Sequence, residues 1–256
     1  MRAPHNDLVP MAADILERMR ARRPRVHCIT NAVAQAFTAN VLLAAGAVPS
    51  MTISADEVEA FTASADALLV NLGTFDAARR QASDLAIATV LGAGKPWVLD
   101  PVFIDRTPQR AAYARTLTAR KPRAIRCNRA EFEALAGTPL DGAALTRFAA
   151  AVGIVVGLTG EVDHVTDGAR SVAIANGHPL MGRITAMGCA GSALVAAAHA
   201  VEGDPWRATA AALLWLGVAG DAAAAQAAGP GSLAVGILDC LHRIDAEALL
   251  AHARVT

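Results

Sequence analysis

Apolar positions along the chain recur with two different periods, and their order predicts strands alternating with helices. Met11, Ile15 and Met19 recur at helical spacing, so we predict an amphipathic first helix over residues 11–22. Short apolar runs predict strands over 25–30, 48–53, 67–72, 96–99, 124–126 and 153–158. The segments between them predict helices over 34–45, 56–62, 76–91, 110–119 and 129–136. Such alternation is typical of an α/β fold in which helices flank a mostly parallel central sheet.

The pattern changes after Thr159. Two apolar runs, 164–166 and 171–175, flank Asp167-Gly168, a dipeptide typical of the turn in an antiparallel hairpin. The chain then becomes rich in alanine, and we predict a helix ending near 201, a second over 206–228, a plain turn at 229–232 and a last helix. No linker or repeat divides the sequence, so we expect a single domain over residues 1–256.

Composition and charge narrow the class of protein. Hydrophobic residues make up 54% of the chain and aromatic residues 4%, which favours a core of small aliphatic side chains. The 23 basic and 23 acidic residues cancel, which disfavours a nucleic-acid-binding protein. The longest apolar run, 208–220, is too short to span a membrane, and the N-terminus, with Arg2 and His5, lacks the apolar run of a signal peptide. The 4 cysteines are scattered, so we predict a cytoplasmic protein without disulfides or structural zinc.

Polar residues and glycines fall at the predicted carboxyl ends of strands, where open parallel sheets bind ligands: Asn31, Asn71, Gly73, Asp100, Asn128, Glu131, Thr159 and Gly160. Asp100 could hold hydrated Mg²⁺ or be a turn residue. Asn128 and Glu131 have the spacing of a helix capping box, although Glu131 could also be a second acidic group near a metal. Thr159 suits either a phosphate contact or an ordinary β-turn.

A glycine-rich segment precedes the first alanine-rich helix. Gly188 and Gly191 leave backbone N–H groups uncovered at the predicted helix start, which makes this an anion-binding site. Cys189 lies between them, and a helix N-terminus lowers the pKa of a thiol, so we expect a potentially activated thiol here. The alternative is a small buried side chain, the usual environment of a lone cysteine.

The order of these motifs carries a resemblance to a known family. The matching segments include I-T-N-A-V at 29–33, P-S-M at 49–51, N-L-G-T at 71–74, L-D-P-V at 99–102, N-R-A-E at 128–131, T-G-E-V-D-H-V-T-D-G at 159–168 and G-C at 188–189. Together they resemble the hydroxyethylthiazole kinase family of the ribokinase-like superfamily over nearly the whole chain. The resemblance implies a three-layer ribokinase-like fold and ATP-dependent phosphorylation of the hydroxyl of 4-methyl-5-(2-hydroxyethyl)thiazole, which gives the thiazole phosphate for thiamine phosphate salvage.

The resemblance also implies roles for individual residues. Cys189 and Gly188 fall at the catalytic helix start, where most of the superfamily carries an Asp as base. Two carboxylates would serve Mg²⁺, directly or through water: Asp100 and Glu131. Three residues would contact ATP: Arg126, Thr159 and Asn128. Five would line the thiazole pocket: Asn31, Val33, Met51, Gly73 and Ala186. The family is a homotrimer with active sites between subunits, which makes Met51 a candidate for a neighbour's site.

Two departures from the family pattern fall near this site. Ala186-Met187 replaces a glycine and the small residue after it, and a bulkier loop, 103–107, with Arg106 replaces a glycine-rich stretch. Three alternatives stay open: a kinase for another small heterocyclic alcohol, a catalytically impaired thiazole- or nucleotide-binding relative, and an acyl-transfer or redox enzyme with Cys189 as nucleophile. For a kinase, we expect backbone N–H groups of 188–191 to receive the phosphoryl group and Cys189 to orient the hydroxyl.

Overall fold

Eight strands form one sheet in the computed structural model, which describes residues 7–256. The strands are β1 (Arg25–Ile29), β2 (Val48–Ser50), β3 (Ala67–Asn71), β4 (Trp97–Asp100), β5 (Ala124–Asn128), β6 (Val155–Thr159), β7 (Asp163–Thr166) and β8 (Ser171–Ile174). Their order across the sheet is β2-β1-β3-β4-β5-β6-β7-β8. The prediction about a signal peptide rests on Arg2 and His5, which lie outside the described residues.

Strands β1 to β6 run parallel, and β7 and β8 run antiparallel to their neighbours. This confirms the predicted parallel sheet and the predicted hairpin, in which Thr166 pairs with Ser171 around the Asp167-Gly168 turn. Because β1, β3, β4, β5 and β6 are parallel neighbours, their carboxyl ends open on the same edge of the sheet.

Eleven α-helices surround the sheet in the described part of the chain. They are α1 (Leu8–Arg22), α2 (Gln35–Ala45), α3 (Val58–Ser64), α4 (Ala77–Gly92), α5 (Pro108–Ala119), α6 (Arg129–Ala136), α7 (Ala144–Val152), α8 (Met187–His199), α9 (Pro205–Ala224), α10 (Pro230–Arg243) and α11 (Ala246–His252). A short 3-10 helix spans Pro179–Arg183. None of these helices has the length and apolar character needed to cross a lipid bilayer.

The helices form two outer layers, each with its own hydrophobic core. One core packs α1, α2 and α8 to α11 against the sheet, and the other packs α3 to α7 against the opposite face. Strand β3 serves both cores, since Leu69 faces the first and Leu68 and Val70 face the second. A strand that is buried on both faces has a continuous apolar sequence, which is why this strand was predictable.

Several predicted boundaries were wrong. Helix α7 was not predicted, although Leu145 and Phe148 recur in it at helical spacing. Gly153, predicted as a strand residue, ends this helix in a left-handed conformation (φ +63°), and β6 begins at Val155. The predicted turn at 229–232 contains the start of α10, where Pro230 takes the first helical position. The single last helix is two helices, α10 and α11, and the strand predicted over 48–53 ends at Ser50.

Gly168 in the β7–β8 turn is predicted to be essential for stability. Its φ is +94°, and a Cβ atom at this position would lie 2.6 Å from the Cα of Ala150 in α7. We expect Gly168→Ala to lower the free energy of unfolding by about 3 kcal/mol, since backbone strain adds to overpacking. Urea denaturation measures this loss.

The matched control is Gly153→Ala, which has a similar positive φ but only Lys121 Nζ near the added methyl, at 4.0 Å. We expect this control to lose about 1 kcal/mol from backbone strain alone. Equal losses in the two variants would contradict the packing of the hairpin against α7.

Candidate active site

A chain of buried side-chain hydrogen bonds connects the ends of β1, β3 and β4 with the start of α8. Asn31 Nδ2 donates to Asn71 Oδ1 at 3.1 Å and to Cys189 Sγ at 3.3 Å. Asn71 Nδ2 in turn donates to Asp100 Oδ2 at 2.7 Å. The strand ends therefore bring Asn31, Asp100 and Cys189 into one site, as the sequence predicted.

Backbone N–H groups fix the direction of this chain. Ala34 N donates to Asn31 Oδ1 at 3.0 Å, so the amide nitrogen of Asn31 is the group left to donate onward. Gly73 N donates to Asn71 Oδ1 at 3.0 Å, which leaves the amide nitrogen of Asn71 facing the carboxylate. Each asparagine therefore delivers an N–H toward the next acceptor, and the last acceptor is the carboxylate of Asp100.

Gly73 lies against the first member of this chain. A Cβ atom at Gly73 would lie 2.7 Å from Asn31 Cβ and 2.8 Å from its Nδ2. Any side chain here would displace Asn31 from Asn71 and from Cys189. Glycine is required at this position because the backbone of residue 73 approaches the side chain of Asn31 closely. This role differs from lining a pocket.

Asp100 is fully buried at the end of β4. Burial raises the pKa of its carboxyl to about 6; the charge of Arg126 acts in the opposite direction, and the charge of Glu131 raises it further. Asp100 Oδ1 has no hydrogen-bond partner among residues 7–256. The Ser192 hydroxyl, like Asn71, acts to lower the pKa of this carboxyl. One oxygen is therefore held by Asn71, and the other is buried without a partner within hydrogen-bonding distance among the described residues.

Glu131 has both carboxylate oxygens engaged by backbone groups. Phe103 N donates to its Oε1 at 3.1 Å, and Asn128 N donates to its Oε2 at 2.9 Å. Asn128 Oδ1 accepts from Glu131 N at 2.9 Å, which completes the capping box of α6. The capping interpretation is confirmed, and Glu131 also ties the loop after β4 to the end of β5.

Arg126 extends from β5 over the first turn of α8. A Cβ atom at Gly188 would lie 2.5 Å from Arg126 Nη1, so a side chain at this position would push the guanidinium aside. Arg126 Nε is buried and has no partner among the described residues. The helix start and the arginine thus present unpaired N–H donors to the same space.

The expectation of an activated thiol at Cys189 was wrong. Burial, followed by the charge of Asp100, raises the pKa of this thiol to about 11, and these effects outweigh the hydrogen bond from Asn31. The helix N-terminus does not overcome the loss of solvent. Cys189 is therefore a neutral thiol near neutral pH, which disfavours an acyl-transfer or redox enzyme with Cys189 as nucleophile.

A cavity of about 840 Å³ opens beside Arg126. Thr159 and Gly160 line one part of it, and Asp163 Oδ1 accepts from Gly160 N at 3.0 Å, which fixes this turn. Other walls come from the β8 end and from the start of α8: Asn176, Gly177, Met181, Ile184 and Met187. The cavity is large enough for a ligand of the size of a nucleotide.

Not every predicted site residue joins the hydrogen-bonded centre. Val33 is 70% exposed, Met51 is half-buried against the larger core, and Asn128 is exposed with its side chain committed to the helix cap. Asn71 was a strand-end candidate without an assigned role, yet it is the central member of the chain. The sequence signal that could have singled out Asn71 was its position directly before the L-G-T turn.

Two residues near the site adopt left-handed backbone without being glycine. Ala186, the residue before α8, has φ +70°, and Phe103, after the D-P-V segment, has φ +56°. Both fall where the sequence departs from the family pattern that it resembles. The backbone geometry is thus retained at positions that favour glycine, at a cost in strain.

The fold and this site define the class of protein. The structure matches a ribokinase-like superfamily protein from Enterococcus faecalis V583 with a TM-score of 0.70 and 14% identity, over 90% of this chain and 93% of that chain. At this identity the match concerns the fold alone. The chain therefore has a ribokinase-like fold, as the resemblance implied.

Closer relatives give the family. The sequence profile of the hydroxyethylthiazole kinase family matches residues 16–247. A probable hydroxyethylthiazole kinase of Agrobacterium fabrum is 45% identical over 95% of this chain and 94% of its own, and a hydroxyethylthiazole kinase of Cereibacter sphaeroides is 46% identical over 94% and 96%. The structure of a hydroxyethylthiazole kinase protein from Pyrococcus horikoshii OT3 matches with a TM-score of 0.92 and 37% identity, over 96% of this chain and 98% of that chain. The chain belongs to the hydroxyethylthiazole kinase family.

Ala186→Gly tests the strain at the start of α8. Glycine adopts the φ of +70° without steric cost, whereas alanine does not. We expect this variant to raise the free energy of unfolding by about 0.5–1 kcal/mol, measured by urea denaturation.

The control is the same substitution inside the helix, Ala193→Gly. It is expected to lower the free energy of unfolding by about 1 kcal/mol or more, since glycine is unfavourable in a helix interior. A loss of stability in Ala186→Gly would show that the left-handed conformation at Ala186 is not a source of strain.

Proposed function

We propose that this protein transfers the γ-phosphoryl group of ATP to the hydroxyl of 4-methyl-5-(2-hydroxyethyl)thiazole, which gives the thiazole phosphate for thiamine phosphate salvage. One observation carries the proposal. A buried carboxylate with a free oxygen, Asp100, and an arginine with unpaired donors, Arg126, meet at the start of α8 beside a cavity of about 840 Å³. Phosphoryl transfer needs this combination of positive charge, backbone N–H donors and a precisely held acceptor more than it needs a covalent catalyst.

The donor side of the proposed site is the cavity beside β6. Arg126 and Thr159 contact the phosphates of ATP, and Asn128 stands near them at the end of β5. Of the N–H groups at residues 188–191, those of Gly188 and Cys189 receive the transferred phosphoryl group, because Ala190 N already donates to Ala186 O at 2.9 Å. Gly188 lies directly beside the guanidinium of Arg126. Negative charge is stabilised there by the N-terminus of a 13-residue helix.

The acceptor side is formed by the ends of β1, β2 and β3. Asn31, Gly73 and Ala186 surround the alcohol, and Val33 and Met51 supply its apolar contacts. Cys189 orients the hydroxyl and makes only a small contribution as a base, because a neutral thiol with a pKa of about 11 binds its proton tightly. Positioning is therefore its main role.

The residues at the end of β4 fit a magnesium ion. Mg²⁺ usually takes one or two protein carboxylates and completes its shell with water and phosphate oxygens. Asp100 offers a free oxygen, whereas both oxygens of Glu131 accept backbone N–H groups, so Glu131 would act through water. No group of three or more metal-binding side chains occurs within residues 7–256. The bound ion would neutralise charge on the phosphates.

We also propose a homotrimer with active sites between subunits. Three apolar side chains are exposed on edge strand β2, on α2 and in the turn before α2. They are Val48 at 36%, Leu43 at 55% and Val33 at 70%. A neighbouring subunit would cover them.

We further propose that the chain is one domain, acts in the cytoplasm, and binds neither nucleic acid nor membranes.

The proposal is tested by incubating the protein with ATP, Mg²⁺ and a panel of small alcohols that includes the hydroxyethylthiazole. Mass spectrometry is expected to detect the thiazole phosphate, formed in proportion to ADP. Preferred phosphorylation of a different heterocyclic alcohol would redirect the substrate assignment. Absence of any phosphorylated product, with nucleotide binding retained, would overturn the proposed activity.

Replacement of Cys189 separates a positioning role from a role as principal base. Cys189→Ala is expected to lower kcat by less than about 10⁴-fold, the upper range for general-base help. Cys240→Ala is the control, since this half-buried cysteine lies on α10 outside the site, and its kcat is expected to be unchanged. A larger loss in Cys189→Ala would contradict the positioning role.

A further inference from the structure

One buried imidazole, outside the hydrogen-bonded centre, holds both chain neighbours of Met51. His27 lies on β1 with no exposed surface. Its Nδ1 is 2.8 Å from Ser50 Oγ, and its Nε2 is 3.1 Å from the carbonyl oxygen of Thr52. Met51 is the residue between these two contacts.

The partners decide which nitrogen carries the proton. A backbone carbonyl oxygen can only accept, so Nε2–H donates to Thr52. Nδ1 then accepts from the Ser50 hydroxyl. Burial lowers the pKa of His27, which keeps the ring neutral and preserves this pattern. Phe61 packs beside the ring, with 6.0 Å between ring centroids.

Ser50 pairs with His27 in the sheet and Met51 packs against the larger core, but Thr52 lies beyond the strand. Strand β2 spans only three residues and ends at Ser50, at the edge of the sheet. Beyond this strand, the Thr52 hydroxyl donates a hydrogen bond to Glu57 Oε1 and accepts one from Ser54 N at 3.2 Å. Both contacts lie within the same loop. Among the described side chains, His27 is thus the link that ties the two residues around Met51 to the sheet.

We infer that His27 is a positioning residue that sets the location of Met51 for binding of the acceptor alcohol. The inference rests on the proposed function, in which Met51 supplies an apolar contact to the thiazole. Fixing both neighbours of a flexible methionine places its backbone before the ligand arrives. The ligand then binds without ordering the loop.

The test compares three variants. His27→Phe keeps a ring beside Phe61 but removes both hydrogen bonds, His27→Gln retains a donor for the Thr52 carbonyl, and Ser50→Ala removes only the contact to Nδ1. Cys28→Ala is the control, because Cys28 is equally buried on β1 but its only side-chain hydrogen-bonding contact with residues 7–256 is with Val26, within the same strand. Far-ultraviolet circular dichroism confirms that each variant folds.

The first readout is the Met51 ε-methyl signal in carbon-13 NMR without any substrate, assigned with Met51→Leu. We expect this signal to shift and broaden in His27→Phe, to change less in His27→Gln and Ser50→Ala, and to stay in place in Cys28→Ala. An unchanged signal in a folded His27→Phe, or an equal change in Cys28→Ala, overturns the inference. If His27→Phe does not fold, the Met51 methyl signals of Ser50→Ala and His27→Gln are compared with that of Cys28→Ala instead. An unchanged signal in both variants then overturns the inference.

The second readout is kinetic. Loss of the hydrogen bonds is expected to raise KM for the thiazole alcohol about tenfold in His27→Phe, with KM for ATP unchanged. A general structural defect would change both constants, and that result also overturns the inference. If the wild-type protein phosphorylates no alcohol, the proposed function fails, while the NMR readout still tests whether His27 positions Met51.

Discussion

The site depends on one buried carboxylate that can lose its proton inside the protein. Asp100 has no contact with solvent, and burial raises its pKa from 3.8 to about 6. Its ionisation in the folded protein therefore costs on the order of 3 kcal/mol relative to the unfolded chain. The surrounding residues limit this cost, since Asn71 donates to one oxygen and Arg126 contributes an opposite charge. A cation that bound the free oxygen would lower the cost further.

The constraint explains why small residues occur where they do. Asn31 and a backbone N–H donate to the oxygen of Asn71, which orients its amide nitrogen toward Asp100, and a Cβ atom at Gly73 would collide with Asn31. The guanidinium of Arg126 lies directly beside Gly188, where a side chain would push it aside. The same burial makes Cys189 a poor base, because its thiolate would add a second negative charge near Asp100. In the proposed reaction, catalytic power would come from fixed donors and from position.

Much of the scaffold was predictable from sequence, for a physical reason. A strand such as β3, buried on both faces, has a continuous apolar sequence that predicts it. The capping box of Asn128 and Glu131 is predictable because it depends on residues only three positions apart. The glycine-rich start of α8 and the strand-end position of Asp100 indicated one edge of the sheet, and the structure brings these residues together there. The pKa of Cys189 was predicted with the wrong sign, because burial by distant segments exceeds the local effect of a helix terminus. The left-handed Ala186 was missed because alanine carries no turn signal, whereas helix α7 was missed although its apolar residues recur at helical spacing.

The site depends on Asp100 being a desolvated carboxylate in the free protein. This is tested most directly by titrating the protein labelled with carbon-13 at the aspartate carboxyl, in metal-free buffer, with Asp100→Asn used to assign the signal. We expect a midpoint near pH 6 for Asp100, well above the ordinary value of 3.8. A midpoint at the ordinary value would instead show that the carboxylate is solvated or fully paired, and would contradict its desolvation.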